Sequence, residues 1–169
     1  MGDRIGVLCK GQLVQVGTPH EVYNFPTNTF VASFVGAPAI NLFVAAINTE
    51  RVVAVPEKFE FSLHPAARSR LHELAGARAT VRVGVRPEDV KLVDNGGIEG
   101  TVYGAENHGA EMIITISVAD HSIRATMPPS IPVTLNQRVQ IAFAQDKLHF
   151  FDVLTTENLA RAGEPLAYR

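Results

Sequence analysis

The chain has 169 residues, of which 46% are hydrophobic and 19% are charged, and its formal net charge is −2. This composition is that of a folded globular domain with a short appendage. The weak negative charge and the scattered basic residues exclude a general electrostatic attraction to nucleic acid or to an anionic membrane.

Two short apolar runs, residues 5–9 and 12–16, open the chain and flank Lys10-Gly11. Glycine accepts the positive φ of a tight turn, so this pattern predicts a β-hairpin. Gly17 is expected to end the second strand.

A helix start follows the hairpin. Thr18 is a typical N-cap, Pro19 suits the first helical position, and Glu21 completes a capping box. Pro26 is expected to stop this helix, and Thr27 is expected to cap a second one.

The second helix carries an apolar stripe made of Phe30, Val31, Phe34 and Val35. Gly36 and Pro38 are expected to end it. A hairpin and two short helices offer too little apolar surface for an independent core. We therefore expect residues 1–36 to be the end of a larger domain.

From Asn41 onward the pattern changes to short strands separated by turns, which is typical of a small barrel or sandwich. Pro65–Leu74 is predicted to be a local helix that ends at Gly76. After Thr156 we expect a weak helix or disorder. Strands are predicted over residues 41–47, 51–55, 60–63, 80–85, 98–103, 112–118, 122–127, 138–143 and 148–151.

The chemistry-bearing residues indicate no catalytic or metal site. The sequence contains no GxxxxGK[ST] phosphate-binding loop and no His/Cys cluster with zinc spacing. Glu88-Asp89 is either a carboxylate pair for acid–base chemistry or, as we favour, the first turn of a short helix after Pro87. Glu106 to Gly109 forms either a binding loop or, more simply, a bulged hairpin turn. The lone Cys9 is interpreted as a small buried side chain in a reduced compartment.

Five segments occur in the order known from one family. The first is DRIGVL at 3–8 with VGTP at 16–19, the second is EVY at 21–23 with FVASFVG at 30–36, and the third is Pro38 with NLF at 41–43. The fourth is GVRPEDV at 84–90 and the fifth is LHFFD at 148–152, so together they span residues 3–152. Their combination resembles the ATP-binding subunits of carbohydrate-type ABC importers, the maltose and glycerol-3-phosphate transporter group. Residues 57–79 and 110–147 match that family more loosely.

The resemblance implies a mainly β fold: an OB-like barrel, called TOBE in this family, preceded by a short hairpin-plus-helices remnant of an α/β ATPase domain. The implied boundaries are residues 1–36 for the remnant, 37–154 for the TOBE domain and 155–169 for a tail.

The resemblance also implies a role. The chain is expected to be a non-catalytic regulatory and dimerisation domain, with ATP and Mg bound only by the rest of the parent subunit. Its expected partners are a second copy of itself, membrane permease subunits reached through the ATPase part, and a regulatory protein or ligand in some members. No nucleic acid is expected. The expected location is the cytoplasmic face of the plasma membrane.

Family motifs supply structural or interface candidates rather than catalytic residues. No residue is assigned to a cofactor or a metal. An alternative is a module that binds an oxyanion or small ligand, as other TOBE-type domains do. The candidates are Gly17, Pro19, Phe34, Gly36, Asn41, Arg86, Pro87, Glu88 and Asp152.

Overall fold

The structure, a computed structural model, describes residues 3–48, 51–54 and 59–160. A small N-terminal block comes first and a larger β-barrel follows. The block has its own apolar cluster around Val7, Val22 and Val31, separate from the barrel core. The first residues therefore do not complete the core of the barrel.

The N-terminal block begins with the predicted hairpin. Strands β1 (Ile5–Cys9) and β2 (Gln12–Gly17) pair antiparallel. Lys10 and Gly11 have φ values of 50° and 81°. Two successive positive φ values match the right-handed twist of the flanking strands, which confirms the hairpin prediction.

Two short helices follow, α1 (Pro19–Asn24) and α2 (Thr29–Phe34). The capping box of α1 is confirmed, since the Glu21 amide donates to Thr18 Oγ1 and the Thr18 amide donates to the Glu21 carboxylate. The predicted cap of α2 is wrong by one residue. Asn28, not Thr27, caps the helix, and its Oδ1 accepts the Val31 amide at 2.9 Å.

The position of Thr27 explains this shift. Its amide donates to the Gln15 side chain, and its carbonyl accepts the Asn158 amide. Both main-chain groups are engaged outside the helix, so helical geometry begins one residue later.

The apolar stripe of α2 is split between the core and the solvent. Val31 is buried and Val35 is half-buried, whereas Phe34 is 68% exposed. Phe30 and Phe34 stack on each other with ring centroids 5.7 Å apart. The predicted stripe is therefore only partly buried, because a helix of six residues contacts the small core with only part of its apolar side.

The barrel consists of two five-stranded sheets with one shared core. One sheet has the order β12-β6-β3-β4-β5 and the other β10-β9-β8-β11-β7, and all described neighbours are antiparallel. The strands are β3 (Asn41–Ile47), β4 (Arg51–Ala54), β5 (Glu60–Ser62), β6 (Thr80–Val85), β7 (Val90–Val93), β8 (Ile98–Asn107), β9 (Met112–Val118), β10 (His121–Met127), β11 (Arg138–Phe143) and β12 (His149–Phe151).

The barrel core is formed by apolar side chains that recur at every second position of the strands. Val81, Val83 and Val85 of β6 are fully buried, as their spacing predicts. Helix α3 (Pro65–Ala75) covers one side of the core with Leu71 and ends at Gly76. The mainly β, OB-like fold is confirmed.

Two strand predictions differ from the structure by more than one residue. Strand β7 is missing from the sequence prediction. It follows the turn at 87–89 directly, and no glycine or proline lies between them to mark the start of a new strand. Strand β8 runs to Asn107 rather than Tyr103, because a bulge between Val102 and Gly104 lets pairing with β9 continue. Residues 49–50, between β3 and β4, and the predicted end of β4 at Val55 lie outside the described residues.

The chain after β12 returns to the N-terminal block. The Thr29 amide donates to the Thr156 carbonyl at 3.0 Å, and the Asn158 amide donates to the Thr27 carbonyl at 2.8 Å. Up to Ala160 the prediction of a weak helix or disorder is therefore wrong, because a non-local backbone pairing orders this segment. Residues 161–169 lie outside the described part of the chain.

Candidate functional site

The junction between block and barrel is organised by Arg86, which follows β6 and precedes a 3₁₀ turn at Pro87–Asp89. Its side chain is 2% exposed, the largest nearly fully buried side chain among the described residues. A buried guanidinium needs acceptors for its five donors. The block supplies three of these acceptors.

Three carbonyls of the two short helices receive the guanidinium. Nη1 donates to Ala32 O at 3.1 Å and to Val35 O at 2.6 Å, and Nη2 donates to Tyr23 O at 2.6 Å. These carbonyls lie at the C-terminal ends of α2 and α1, where helix carbonyls lack intrahelical partners and a cation is favourable. Arg86 thus caps both helices from the barrel side.

Tyr23 adds a second connection. Its ring centroid lies 3.9 Å from the Arg86 guanidinium carbon, and its hydroxyl donates to Glu88. Burial, and secondly the hydrogen bond to Glu88, raise the pKa of Tyr23 to about 12. The phenol therefore remains a hydrogen-bond donor at neutral pH.

Gly36 makes this packing possible. Its φ is 123°, a backbone conformation that favours glycine. A Cβ atom built on Gly36 would lie 2.9 Å from Arg86 Nη1 and 3.2 Å from the Tyr23 ring. Any other residue would press on the clamp formed by Arg86 and Tyr23.

Glu88 and Asp89 occupy the first turn of the predicted short helix, after Pro87. Glu88 accepts the Tyr23 hydroxyl, and the Asp89 carbonyl accepts the Ala144 amide. Burial, followed by the charge of Glu88, raises the pKa of Asp89. Glu88 holds the junction and the Asp89 main chain is bonded within the barrel, which supports the interpretation as a helix start over that of an acid–base pair.

A small cleft of about 200 Å³ opens beside Arg86, between the end of α1 and the turn at 145–147. His149 lines it and is 6% exposed. Two buried nitrogen atoms, Arg86 Nε and His149 Nδ1, have no hydrogen-bond partner among the described residues. Burial, and then the charges of Arg86 and Lys147, lower the pKa of His149 to about 4.

We expect acid to destabilise the protein through His149. The unfolded chain binds a proton near pH 6.5 and the folded chain only near pH 4, so the contribution of His149 is complete above pH 6.5 and is lost as the pH falls towards 4. The loss amounts to about 3 kcal/mol. Urea denaturation between pH 7 and pH 4 measures it. A His149→Gln variant should show a flatter dependence; an equal slope in both proteins would contradict the assignment.

Asn41 joins the two sheets of the barrel. Its Nδ2 donates to Val85 O at 3.2 Å and to Arg124 O at 2.9 Å, while its Oδ1 accepts the Arg124 amide at 2.8 Å. The side chain is 7% exposed. A single amide therefore connects β3, the end of β6 and β10.

Asp152 shapes the return of the chain to the block. Its carboxylate accepts the Leu154 and Thr155 amides at 2.8 and 2.9 Å and pairs with Arg78 Nε at 2.6 Å. The Thr155 amide, followed by Arg78, lowers the pKa of Asp152 to about 2. The turn stays formed at neutral pH and brings Thr156 to Thr29.

The other predicted residues lie away from this clamp. Gly17 is buried where β2 meets α1, and a Cβ there would lie 3.0 Å from the Glu21 carboxylate. Pro19 is the first residue of α1. Phe34 is exposed on α2 and is available for contact with another surface.

The structure thus brings Gly36, Arg86, Pro87 and Glu88 together at one junction. Sequence reasoning missed Tyr23 and His149 as members of it. Tyr23 belongs to the EVY segment, and a tyrosine preceding a helix end is a signal that was present. Nothing in the spacing around His149 indicates its burial.

Among the described residues no group of three or more His, Cys, Asp or Glu side chains is placed to hold a metal ion. None of the described helices is long and apolar enough to cross a membrane.

Comparison with known proteins gives a consistent result. Residues 83–151 match the TOBE domain family. The chain is 33% identical over 164 residues to an sn-glycerol-3-phosphate import ATP-binding protein of Agrobacterium fabrum, covering 96% of this chain and 43% of that protein. It is 36% identical over 163 residues to a trehalose/maltose import ATP-binding protein of Thermococcus litoralis, covering 92% and 44%.

A xylose/arabinose import ATP-binding protein of Haloferax volcanii is 32% identical over 173 aligned positions, covering 98% of this chain and 44% of that protein. The chain therefore spans less than half the length of the curated relatives it matches. The similarity includes both the N-terminal block and the barrel.

Proposed function

Because the chain carries a TOBE domain and is related along nearly its whole length to ATP-binding subunits of sugar-type ABC importers, we propose that its barrel restrains and regulates such a subunit. In this role two copies associate through their barrels. The associated barrels keep two ATPase domains close together while nucleotide drives those domains together and apart.

The observation that carries this proposal is the Arg86 clamp. Arg86 and Glu88 of the barrel hold Tyr23, Ala32 and Val35 of the block. Block and barrel consequently move as one body. A contact made by the barrel is then transmitted to whatever the block is attached to.

The physical benefit is one of effective concentration. After ATP hydrolysis two ATPase domains must separate without dissociating. A second contact that does not depend on nucleotide makes their next closure an intramolecular event. Two identical barrels meeting through the same surface form a closed, two-fold symmetric pair.

The hairpin of the block offers a surface for an ATPase domain. Leu8, Leu13 and Val16 are 59%, 62% and 43% exposed. Leu8 pairs with Leu13 across the hairpin, and the opposite face holds the buried Val7. An ATPase domain packed on the exposed face would extend the small core, and through it the subunit would reach its permease partners at the cytoplasmic face of the membrane.

The experiment is sedimentation equilibrium of the 169-residue chain with and without Mg-ATP. We expect a reversible dimer whose dissociation constant does not change with Mg-ATP, and no ATP hydrolysis by this chain. A monomer at every concentration, or an association that requires ATP, would contradict the proposal.

Two matched substitutions locate the contact. Leu135 is 61% exposed in the segment that joins β10 to β11, and Leu13 is 62% exposed on the hairpin. Leu135→Asp should weaken the dimer at least about tenfold, which corresponds to about 1.4 kcal/mol, whereas Leu13→Asp should leave it unchanged. The reverse pattern would place the contact on the block instead of the barrel.

A further inference from the structure

A groove of about 540 Å³ lies between the connector residues Ala37-Pro38 and the outer face of strands β8, β9 and β10. We call it the connector groove. One wall belongs to the segment that follows α2 and the other belongs to the barrel. Ligand pockets in proteins are often formed where two structural units meet, and this volume falls within their usual range.

An exposed aromatic ring lines the connector groove. Tyr103 follows Val102 at the bulge of β8 and is 59% exposed. Its hydroxyl lies 3.4 Å from Ser122 Oγ on β10, which is two strand spacings, about 10 Å, from β8. The ring therefore lies across β9. Gly104 next to it carries no side chain that would cover the ring.

Planar polar side chains line the same groove as the ring. Glu106 lies 3.5 Å from His108, and both line the groove together with Glu111 and Arg124. The side chains of Glu111 and Arg124 form no hydrogen bond or ion pair within the described part of the chain. They are available to a ligand, while Asn41 fixes the Arg124 main chain from behind.

The mixture of charges restricts the class of ligand. The two carboxylates in the groove, Glu106 and Glu111, repel phosphate and other oxyanions, which disfavours an anion site or a nucleic-acid backbone. Arg124 in the same groove repels simple amines. A neutral ligand with many hydroxyl groups satisfies both signs, because a hydroxyl donates to a carboxylate and accepts from a guanidinium.

We propose that the connector groove binds a neutral saccharide, with Tyr103 as the platform for the apolar face of a sugar ring and with Glu106, Glu111 and Arg124 as partners for its hydroxyl groups. Because the ligand would contact the connector as well as the barrel, its occupancy would influence the junction. The binding itself stands without the dimer proposed above, and either can fail alone.

A second groove on the barrel provides an internal control. It is larger, about 760 Å³, and lies along β7, β8, β9 and β11. Arg138 and Glu99 line it, but no aromatic side chain does among the described residues. This groove therefore has charged side chains but no aromatic ring among its lining residues on which a sugar could stack.

The test is titration of the isotopically labelled 169-residue chain with glucose, maltose, trehalose and xylose, followed by amide NMR shifts. At least one sugar should shift residues 103–111 and 122–124 together. Tyr103→Ala should weaken this binding at least about tenfold, whereas Tyr103→Phe should stay within about twofold. Arg124→Gln should weaken it, and Arg138→Gln should not.

Three results would overturn the proposal. They are the absence of groove shifts with all four sugars, shifts that persist unchanged in Tyr103→Ala, and preferential binding of inorganic phosphate or spermidine in the same groove. Tyr103 is mostly exposed, so Tyr103→Ala should retain the wild-type amide shifts elsewhere, which verifies that the variant is folded. Sedimentation of the same samples reports on the dimer separately.

Discussion

Arg86→Ala should destabilise the protein by about 3–5 kcal/mol, the range expected when one partner of a buried charged network is removed. The substitution leaves Tyr23 O, Ala32 O and Val35 O without their donor. It also removes the guanidinium that stacks on the Tyr23 ring. Urea denaturation at pH 7 measures the loss as a lower midpoint.

Two companions test the reason for this loss. Arg138→Ala removes the same side chain from an exposed position on β11 and should change stability by less than about 0.5 kcal/mol. Arg86→Lys keeps the charge but offers a single ammonium instead of a planar fork, so we expect an intermediate loss. If Arg86→Ala cost under about 1 kcal/mol, the junction would not depend on this clamp.

Phe151→Ala is expected to cost about 3–5 kcal/mol. Phe151 is fully buried and packs with Ala32 of α2, Ile40 of the connector and Leu42 of β3. Its main chain also pairs with β6 and with Asn158 of the returning segment. The substitution therefore opens a cavity where block, barrel and returning chain meet.

Phe34→Ala is the matched control, since the same atoms are removed from a ring that is 68% exposed. Its effect on the free energy of unfolding should remain below about 0.5 kcal/mol. Thermal or urea denaturation of both variants provides the comparison. Equal losses would mean that Phe151 does not hold the junction.

Local patterns were sufficient for most of the secondary structure. The positive-φ turn at Lys10-Gly11, the capping box of Thr18 and Glu21, and the alternation in β6 each depend on residues close in sequence. Short-range sterics and hydrogen bonding determine such features, so they are visible in the chain itself.

The junction required contacts that local patterns do not contain. The GVRPEDV segment identified Arg86, but its three acceptors lie 51 to 63 residues away. The burial of His149 and the return of Asn158 to Thr27 depend likewise on non-local packing. Phe34 is exposed while Val31 is buried because a short helix contacts a small core on one side only.

These contacts give the family motifs a physical meaning. Gly36 leaves room for the guanidinium, and Pro87 starts the turn that carries Glu88 to Tyr23. Asp152 turns the chain back towards the block. Each is a structural part of one connection between the N-terminal block and the barrel.

Residual dipolar couplings of the labelled 169-residue chain test that connection most directly. If block and barrel form one body, amides of residues 5–34 and of residues 80–151 fit a single alignment tensor with the orientations of the structure. Two tensors of different magnitude or direction would show that the block moves independently, and a barrel that does not hold its own block could not restrain an ATPase domain attached to it.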